Sequence, residues 1–251
     1  GGTVVATELG RRSEPDGYTF FTGTDTLRVV GITKRVSFDV RKAFDPVAAM
    51  SSQPYILIIN PTLPVKNLKE LAAYSLTHQV SYGSSGIGTV AHLGLETLNA
   101  ISGARFLHVP YKGGAQSLLG LLSGEVQMYP GLLLSANAAV KSGKAQLLAA
   151  LSLQRIAALP ELPTVAEQGF PGFKITNSYA LYAPAGVPTP ILLALNRIVS
   201  DFMNSPKMVQ KLIAEGSQSG ERMTLPELKA AFARDYEEVE RQVGQLKIKL
   251  F

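Results

Sequence analysis

From Val80 onward the sequence repeats one pattern: a short apolar run, a loop of small residues, then a leucine-rich stretch of helical spacing. Val80–Ser81–Tyr82–Gly83 is followed by Ser84–Ser85–Gly86–Ile87–Gly88–Thr89 and a helix carrying Leu93, Leu95 and Leu98. Phe106–Leu107–His108–Val109 is followed by Pro110–Tyr111–Lys112–Gly113–Gly114 and a helix carrying Leu118, Leu119, Leu121 and Leu122. A third run, Val126–Gln127–Met128–Tyr129, closes in Pro130–Gly131. Short strands alternating with helices of about 10–15 residues predict α/β architecture with parallel strands.

The remaining chain fits that frame. Pro15–Asp16–Gly17 reads as a turn, Tyr18–Thr19–Phe20–Phe21–Thr22 as a strand and Gly23–Thr24–Asp25–Thr26 as a polar loop. Tyr55–Ile56–Leu57–Ile58–Ile59–Asn60 is apolar nearly throughout and stops at Pro61 and Pro64, as a strand buried on both faces does. Helical spacing recurs over 67–74, and after the proline-rich segments at 159–163 and 183–190 the chain is mostly helical, over 191–203, 207–214 and 225–246. The chain opens on a helix-like stretch, Thr3 to Leu9, with no strand ahead of it.

With 46% hydrophobic and 17% charged residues in 251, the chain can bury a substantial core and is neither disordered nor collagen-like. It has no cysteine, which excludes disulfides, thiolate nucleophiles and cysteine zinc sites. The net charge of +5 comes from scattered cations, the densest being Arg11–Arg12 and Lys247/Lys249, so no nucleic-acid face is expected; an anionic small ligand suits the same bias. No apolar run approaches the roughly 18 residues needed to span a bilayer, and the first residues lack a charged-then-apolar leader.

The most informative loop is Ser84 to Thr89. Small residues between a strand and a helix let backbone N–H groups approach a ligand, and a helix N-terminus favours an anion; the plainer reading is a flexible connection that caps the helix. The same residues read Gly86–x–Gly88–x–x–Ala91, a relaxed dinucleotide fingerprint that would make the chain an α/β oxidoreductase, but the next strand leads to Tyr111–Lys112 rather than to an acidic residue for a ribose. Lys112 could supply charge to the same crevice or be solvated. Asp25 could accept from a ligand amine or hydroxyl, or cap a following helix. The histidines His78, His92 and His108 have no metal-ligand spacing, and His92 is expected to orient a loop through a hydrogen bond rather than to transfer protons. No nucleophile elbow, Walker loop or His–Glu–x–x–His occurs, which points to binding without turnover and assigns no catalytic residue, metal or cofactor.

Several segments, taken in order, resemble the Bug receptors, the periplasmic solute-binding proteins of tripartite tricarboxylate transporters. They are Pro15–Asp16–Gly17–Tyr18–Thr19; Phe38–Asp39 through Phe44–Asp45–Pro46–Val47; Asn60–Pro61 with Leu63–Pro64–Val65–Lys66; Tyr82–Gly83–Ser84–Ser85–Gly86 with Gly88–Thr89 and His92–Leu93; and His108–Val109–Pro110–Tyr111–Lys112–Gly113. Leu159–Pro160 with Leu162–Pro163–Thr164–Val165–Ala166–Glu167, Pro171–Gly172–Phe173 and Ala183–Pro184–Ala185–Gly186 continue the likeness.

That resemblance implies a type II periplasmic-binding-protein fold: two α/β domains joined by two crossovers, closing over a small organic carboxylate. Domain one would be 1–58 with 184–251, without the family's usual N-terminal strand and Pro–Gly–Gly loop, and domain two 59–183. The ligand residues it implies are Thr24, Asp25, Thr26, Ser84, Ser85, Gly86, Gly88, Thr89, His92, Tyr111, Lys112, Gly131 and Ser178. Relatives often place short polar residues where this chain has Pro130–Gly131–Leu132, and Trp where it has Ser178, so ligand identity does not carry over. The implied partners are the carboxylate and the membrane subunits of a tripartite tricarboxylate transporter, with the receptor a monomer in the bacterial periplasm.

Overall fold

A computed structural model describes residues 4–33 and 35–245. Thr3 at the expected helix start, Leu246 at the expected end of the last helix and the Lys247/Lys249 pair lie outside the described residues. The chain forms two compact units, the first holding residues up to 52 and again from 177, the second residues 53–176. The passages at 52/53 and 176/177 fall inside strands, a few residues from the 58/59 and 183/184 that the resemblance implies. No helix among the described residues is long and apolar enough to cross a membrane.

The first unit opens with α1 (Val4–Arg12), β1 (Phe21–Thr24), α2 (Thr26–Ile32), α3 (Val40–Ala43) and the start of β2 (Phe44–Ile59). The strand expected over 18–22 starts later. Tyr18 N–H donates to Asp16 Oδ1 at 2.9 Å, an Asx turn that holds the chain through Tyr18. The antiparallel ladder with β7 (Thr176–Pro184) then begins at Phe21↔Tyr182 and runs to Thr24↔Tyr179, so Gly23 and Thr24 are strand rather than loop.

In the second unit the chain runs through α4 (Leu68–Tyr74), β3 (Val80–Ser84), α5 (Val90–Ser102), β4 (Phe106–Pro110), α6 (Gly114–Ser123), β5 (Met128–Gly131), α7 (Leu133–Lys141) and β6 (Gln146–Leu151). The end of β2 is an interior strand of its sheet, with β5 on one side (Ile56↔Gly131) and β6 on the other (Ile56↔Ala150). This position explains the unbroken apolar run. Ile56 and Ile58 pack with Leu121, Leu133 and Ala136 on one face, while Leu57 and Ile59 pack with Leu68, Leu71, Leu95 and Leu98 on the other. The strand's two-residue period therefore splits one hydrophobic run between two helix layers, and each buried side chain contributes about 1.5–3 kcal/mol.

The expectation of parallel strands needs correcting: β3 is parallel to β4 and β5, but β2 runs antiparallel to β5, β6 and β8 (Gln218–Ser219). The third strand of the repeat occupies 128–131 rather than the expected 126–129 and takes in Pro130 and Gly131. The first unit closes with α8 (Thr189–Met203), α9 (Pro206–Ala214), β8 and α10 (Leu225–Gln245). Its core joins Leu27 and Val30 of α2 to Phe44, Tyr182, Phe232 and Tyr236, and on the other face of β7 joins Ala183 to Val47, Val187 and Leu192.

Candidate functional site

Strand register in the second unit brings three loops to one edge. The parallel pairing ends at Ser84↔Pro110, and the pairing Tyr82↔Met128 sets Gly131 level with Ser85. The loops after β3, β4 and β5 thus emerge side by side at the carboxyl ends of the three strands, and α5, α6 and α7 each begin there. β3 lies between β4 and β5, so the chain leaves it to one side and later returns on the other. Such a switch point opens a crevice at the carboxyl ends of the strands in α/β sheets.

Each helix start leaves N–H groups without an intrahelical acceptor and carries about half a positive charge. Thr89 caps α5, its hydroxyl accepting from His92 N–H at 3.5 Å, whereas Gly113 at the start of α6 and Leu132 at the start of α7 supply no side-chain cap. The edge is therefore rich in backbone donors and has no carboxylate among its candidate residues, an arrangement suited to an anion.

Internal hydrogen bonds set the form of the 84–89 loop. Gly86 (φ 135°) and Gly88 (φ 69°) occupy conformations that favour glycine. Thr89 Oγ1 donates to the Gly86 carbonyl at 2.8 Å, and Ser84 Oγ accepts from Gly86 N–H at 3.1 Å. Ser84 Oγ also lies 2.7 Å from His108 Nε2, and Gly88 N–H donates to His92 Nδ1 at 3.1 Å. His92 is 4% exposed and its ring stacks on that of His108 with centroids 3.9 Å apart; Tyr82 stacks on His108 at 5.0 Å. Burial lowers the pKa of His92 against the pull of Glu96, and burial together with the neighbouring His92 pushes His108 down to about 3. Both rings are neutral at pH 7.

The other expected residues of this unit are placed differently. Tyr111 N–H donates to the Ser84 carbonyl at 3.0 Å, but its side chain turns inward. A Cβ on Gly83 would come within 2.9 Å of the Tyr111 ring and one on Gly120 within 2.3 Å of its hydroxyl, whose pKa burial and the neighbouring Glu125 push up to about 12. Lys112 is exposed, with its N–H donating to Gln116 Oε1 at 3.2 Å. Gly131 is buried in β5, where a Cβ would meet the Tyr129 ring at 2.3 Å; it makes room for a side chain two residues back on the same face. Ser85 is partly exposed at the edge. The dinucleotide fingerprint finds little support here, because Gly88 N–H is taken by His92 and β4 leads out through Pro110 and Tyr111 without an acidic residue.

Thr24, Asp25, Thr26 and Ser178 belong to the first unit. Asp25 precedes α2 but makes no capping bond. Its Oδ2 accepts from Ser178 N–H at 2.8 Å and its Oδ1 pairs with the Arg28 guanidinium, which also reaches Asp235 Oδ2 at 3.1 Å and lies over the Phe232 ring at 5.2 Å. Asp25 therefore ties α2 to β7. Thr24 Oγ1 accepts from Thr26 N–H at 3.4 Å.

Sequence reasoning missed Arg28 and the part played by His108. The spacing of Arg28 three residues after Asp25 on a helix was a usable sign of the first; nothing local announces the second, because it depends on strand register. Among the described residues no group of three or more His, Asp or Glu side chains is placed to hold a metal ion.

Comparison with known proteins adds an independent line. Residues 1–225 match the model of the tripartite tricarboxylate transporter family receptor. A UPF0065 protein of Bordetella pertussis is 32% identical over 219 residues, which is 86% of this chain and 68% of the relative; BugT of the same organism is 29% identical over 225 residues, with the same coverage. Among solved structures, Rpa4515 of R. palustris with adipate superposes with a TM-score of 0.91 at 28% identity, covering 97% of this chain and 82% of that one. MatC of Rhodopseudomonas palustris with bound malate gives 0.86 at 27% identity, with 96% and 84% covered, and the periplasmic binding protein BugD gives 0.86 at 25%, with 98% and 83% covered.

Proposed function

Because the chain belongs to the tripartite tricarboxylate transporter receptor family, we propose that it is a periplasmic receptor that binds a small organic carboxylate without chemical turnover and hands it to the membrane subunits of such a transporter. The observation that carries this reading is the meeting of three helix starts at the carboxyl edge of β3, β4 and β5, two of them without side-chain caps. On it the carboxylate oxygens accept from N–H groups in the first turns of α5 and α7 and from Gly114, at the start of α6, with Ser85 at the rim. Helix-start dipoles balance the negative charge without a buried cation, so the ligand is released without breaking a salt bridge. The relatives solved with adipate and malate support the ligand class.

Thermal unfolding against a panel of mono-, di- and tricarboxylates, amino acids and nicotinamide nucleotides tests the proposal. A ligand at about a hundred times its Kd adds about 2.7 kcal/mol of stability, or about 5–10 °C in a chain of this size. Stabilisation by one carboxylate class is the expected result; stabilisation by a nicotinamide nucleotide and by no carboxylate would overturn the reading.

A further inference from the structure

We propose that His92 and His108 are a pair of positioning residues whose stacked neutral imidazoles hold both ends of the 84–89 loop in the form that receives a carboxylate. The inference rests on the carboxylate-receptor reading and adds to it the device that shapes the site. His92 reaches back from the first turn of α5 to take Gly88 N–H, and His108 reaches across from β4 to Ser84, the first residue of the loop. The rings lie 3.9 Å apart with 20° between their planes, and Tyr82 packs on the far side of His108 at 5.0 Å. The two anchors therefore move together.

Hydrogen-bond direction sets the protonation state of His92. Gly88 N–H is a donor, so His92 Nδ1 carries no proton and the ring keeps its single proton on Nε2. Ser84 Oγ accepts from Gly86 N–H at 3.1 Å, lies 3.1 Å from the Gly86 carbonyl and shares a hydrogen bond with His108 Nε2 at 2.7 Å, so the ring and the loop backbone meet on one hydroxyl. A second proton on His92 would set N–H against N–H at Gly88. Charging both rings would bring two cations into stacking contact, their centroids 3.9 Å apart. The titratable groups facing the pair are Glu96 on α5, which favours protonation of His92, and Tyr82 on β3, whose hydroxyl donates to Glu96 at 2.6 Å.

The plain alternative is a pair of rings that only fills space, and conservative variants separate the two. His92→Asn keeps an acceptor near Nδ1 and His108→Gln keeps a hydrogen-bonding amide near Nε2, while His92→Leu and His108→Leu keep bulk and lose the polar group. Adipate and malate binding is measured by calorimetry near pH 7.5 for the five proteins, with exchange of the Gly88 amide followed by NMR. The leucine variants are expected to bind the carboxylate about tenfold or more weakly, with Asn and Gln within about threefold of wild type. The Gly88 amide should be protected in wild type and His92→Asn and exchange fast in His92→Leu. As pH falls from about 7.5 to about 5, the ratio of wild-type to His92→Asn affinity should fall; ligand ionisation cancels in that ratio, and asparagine does not titrate.

Leucine variants that bind as tightly as wild type, or Asn and Gln variants that fold yet fail as leucine does, would overturn the proposal. A folded wild-type chain that binds no carboxylate at all would overturn the receptor reading beneath it, a distinct result because all five proteins would then behave alike.

Discussion

Replacing Thr89 with valine keeps the side-chain volume and removes one hydroxyl from the centre of the candidate site. That hydroxyl donates to the Gly86 carbonyl at 2.8 Å and accepts from His92 N–H at 3.5 Å. The first bond is worth about 1 kcal/mol net, and its loss does not orphan the carbonyl, which keeps Thr89 N–H at 3.4 Å and Ser84 Oγ at 3.1 Å. A helix cap is typically worth about 1 kcal/mol, and the long distance here argues for about half of that. The sum is about 1.5 kcal/mol, or a melting temperature lower by about 3–6 °C. Urea unfolding followed by circular dichroism, with calorimetry on the same samples, provides the assay; affinity for the bound carboxylate should fall together with stability, because the cap and the loop are one structure. A valine variant within about 0.3 kcal/mol of wild type and unchanged in affinity would refute the idea that Thr89 holds the loop.

Stability should fall as pH drops below about 6.5, because His92 and His108 have depressed pKa values in the folded chain, so unfolding takes up protons that the folded state excludes. The dependence, read from urea midpoints between about pH 7 and pH 4, should approach one proton for His108, with His92 adding to it in the same direction, and His108→Gln should reduce it by about one proton. Tyr111→Phe removes a hydroxyl whose pKa burial and the neighbouring Glu125 push up to about 12, so the variant should lose no more than about 1 kcal/mol of stability; a larger loss in urea titration would show that the hydroxyl and Glu125 support the fold. Arg28→Leu leaves Asp25 and Asp235 without their shared cation. The expected cost is about 3 kcal/mol, at the low end for a broken buried pair, since Asp25 keeps Ser178 N–H and the Asp235 side chain is 43% exposed. A loss below about 1 kcal/mol would count against a supporting role for the pair.

Much of the second unit was legible because its signals are local. The repeat of apolar run, small-residue loop and leucine-rich helix located β3, α5, β4 and α6, and the unbroken run at 55–60 marked a strand buried on both faces. Other elements depend on context. Gln146–Leu151 is rich in leucine and alanine and has no strand propensity of its own; it forms β6 by pairing with β2. Pro46 and Pro54 interrupt the pattern of β2, yet the strand runs from Phe44 to Ile59, paired with β8 at Ser51 and Ser52 and with β6 from Tyr55. Within the candidate site, the glycines and hydroxyls of 84–89 stood out as residue types, but what each one holds did not. The hydroxyls of Ser84 and Thr89 bond within the loop or to His108, and the stack that ties Tyr82, His108 and His92 joins β3, β4 and α5 through a register that spacing alone does not contain.

The most direct test of the central claim is a titration of nitrogen-15-labelled protein with adipate and with malate, following the backbone amides one by one. The account predicts saturable shifts concentrated at Ser85 through Ala91, Gly113–Gly114 and Leu133–Leu134, where the three helices begin. Saturable binding that leaves those amides unmoved, or no binding of any carboxylate to the folded chain, would contradict it.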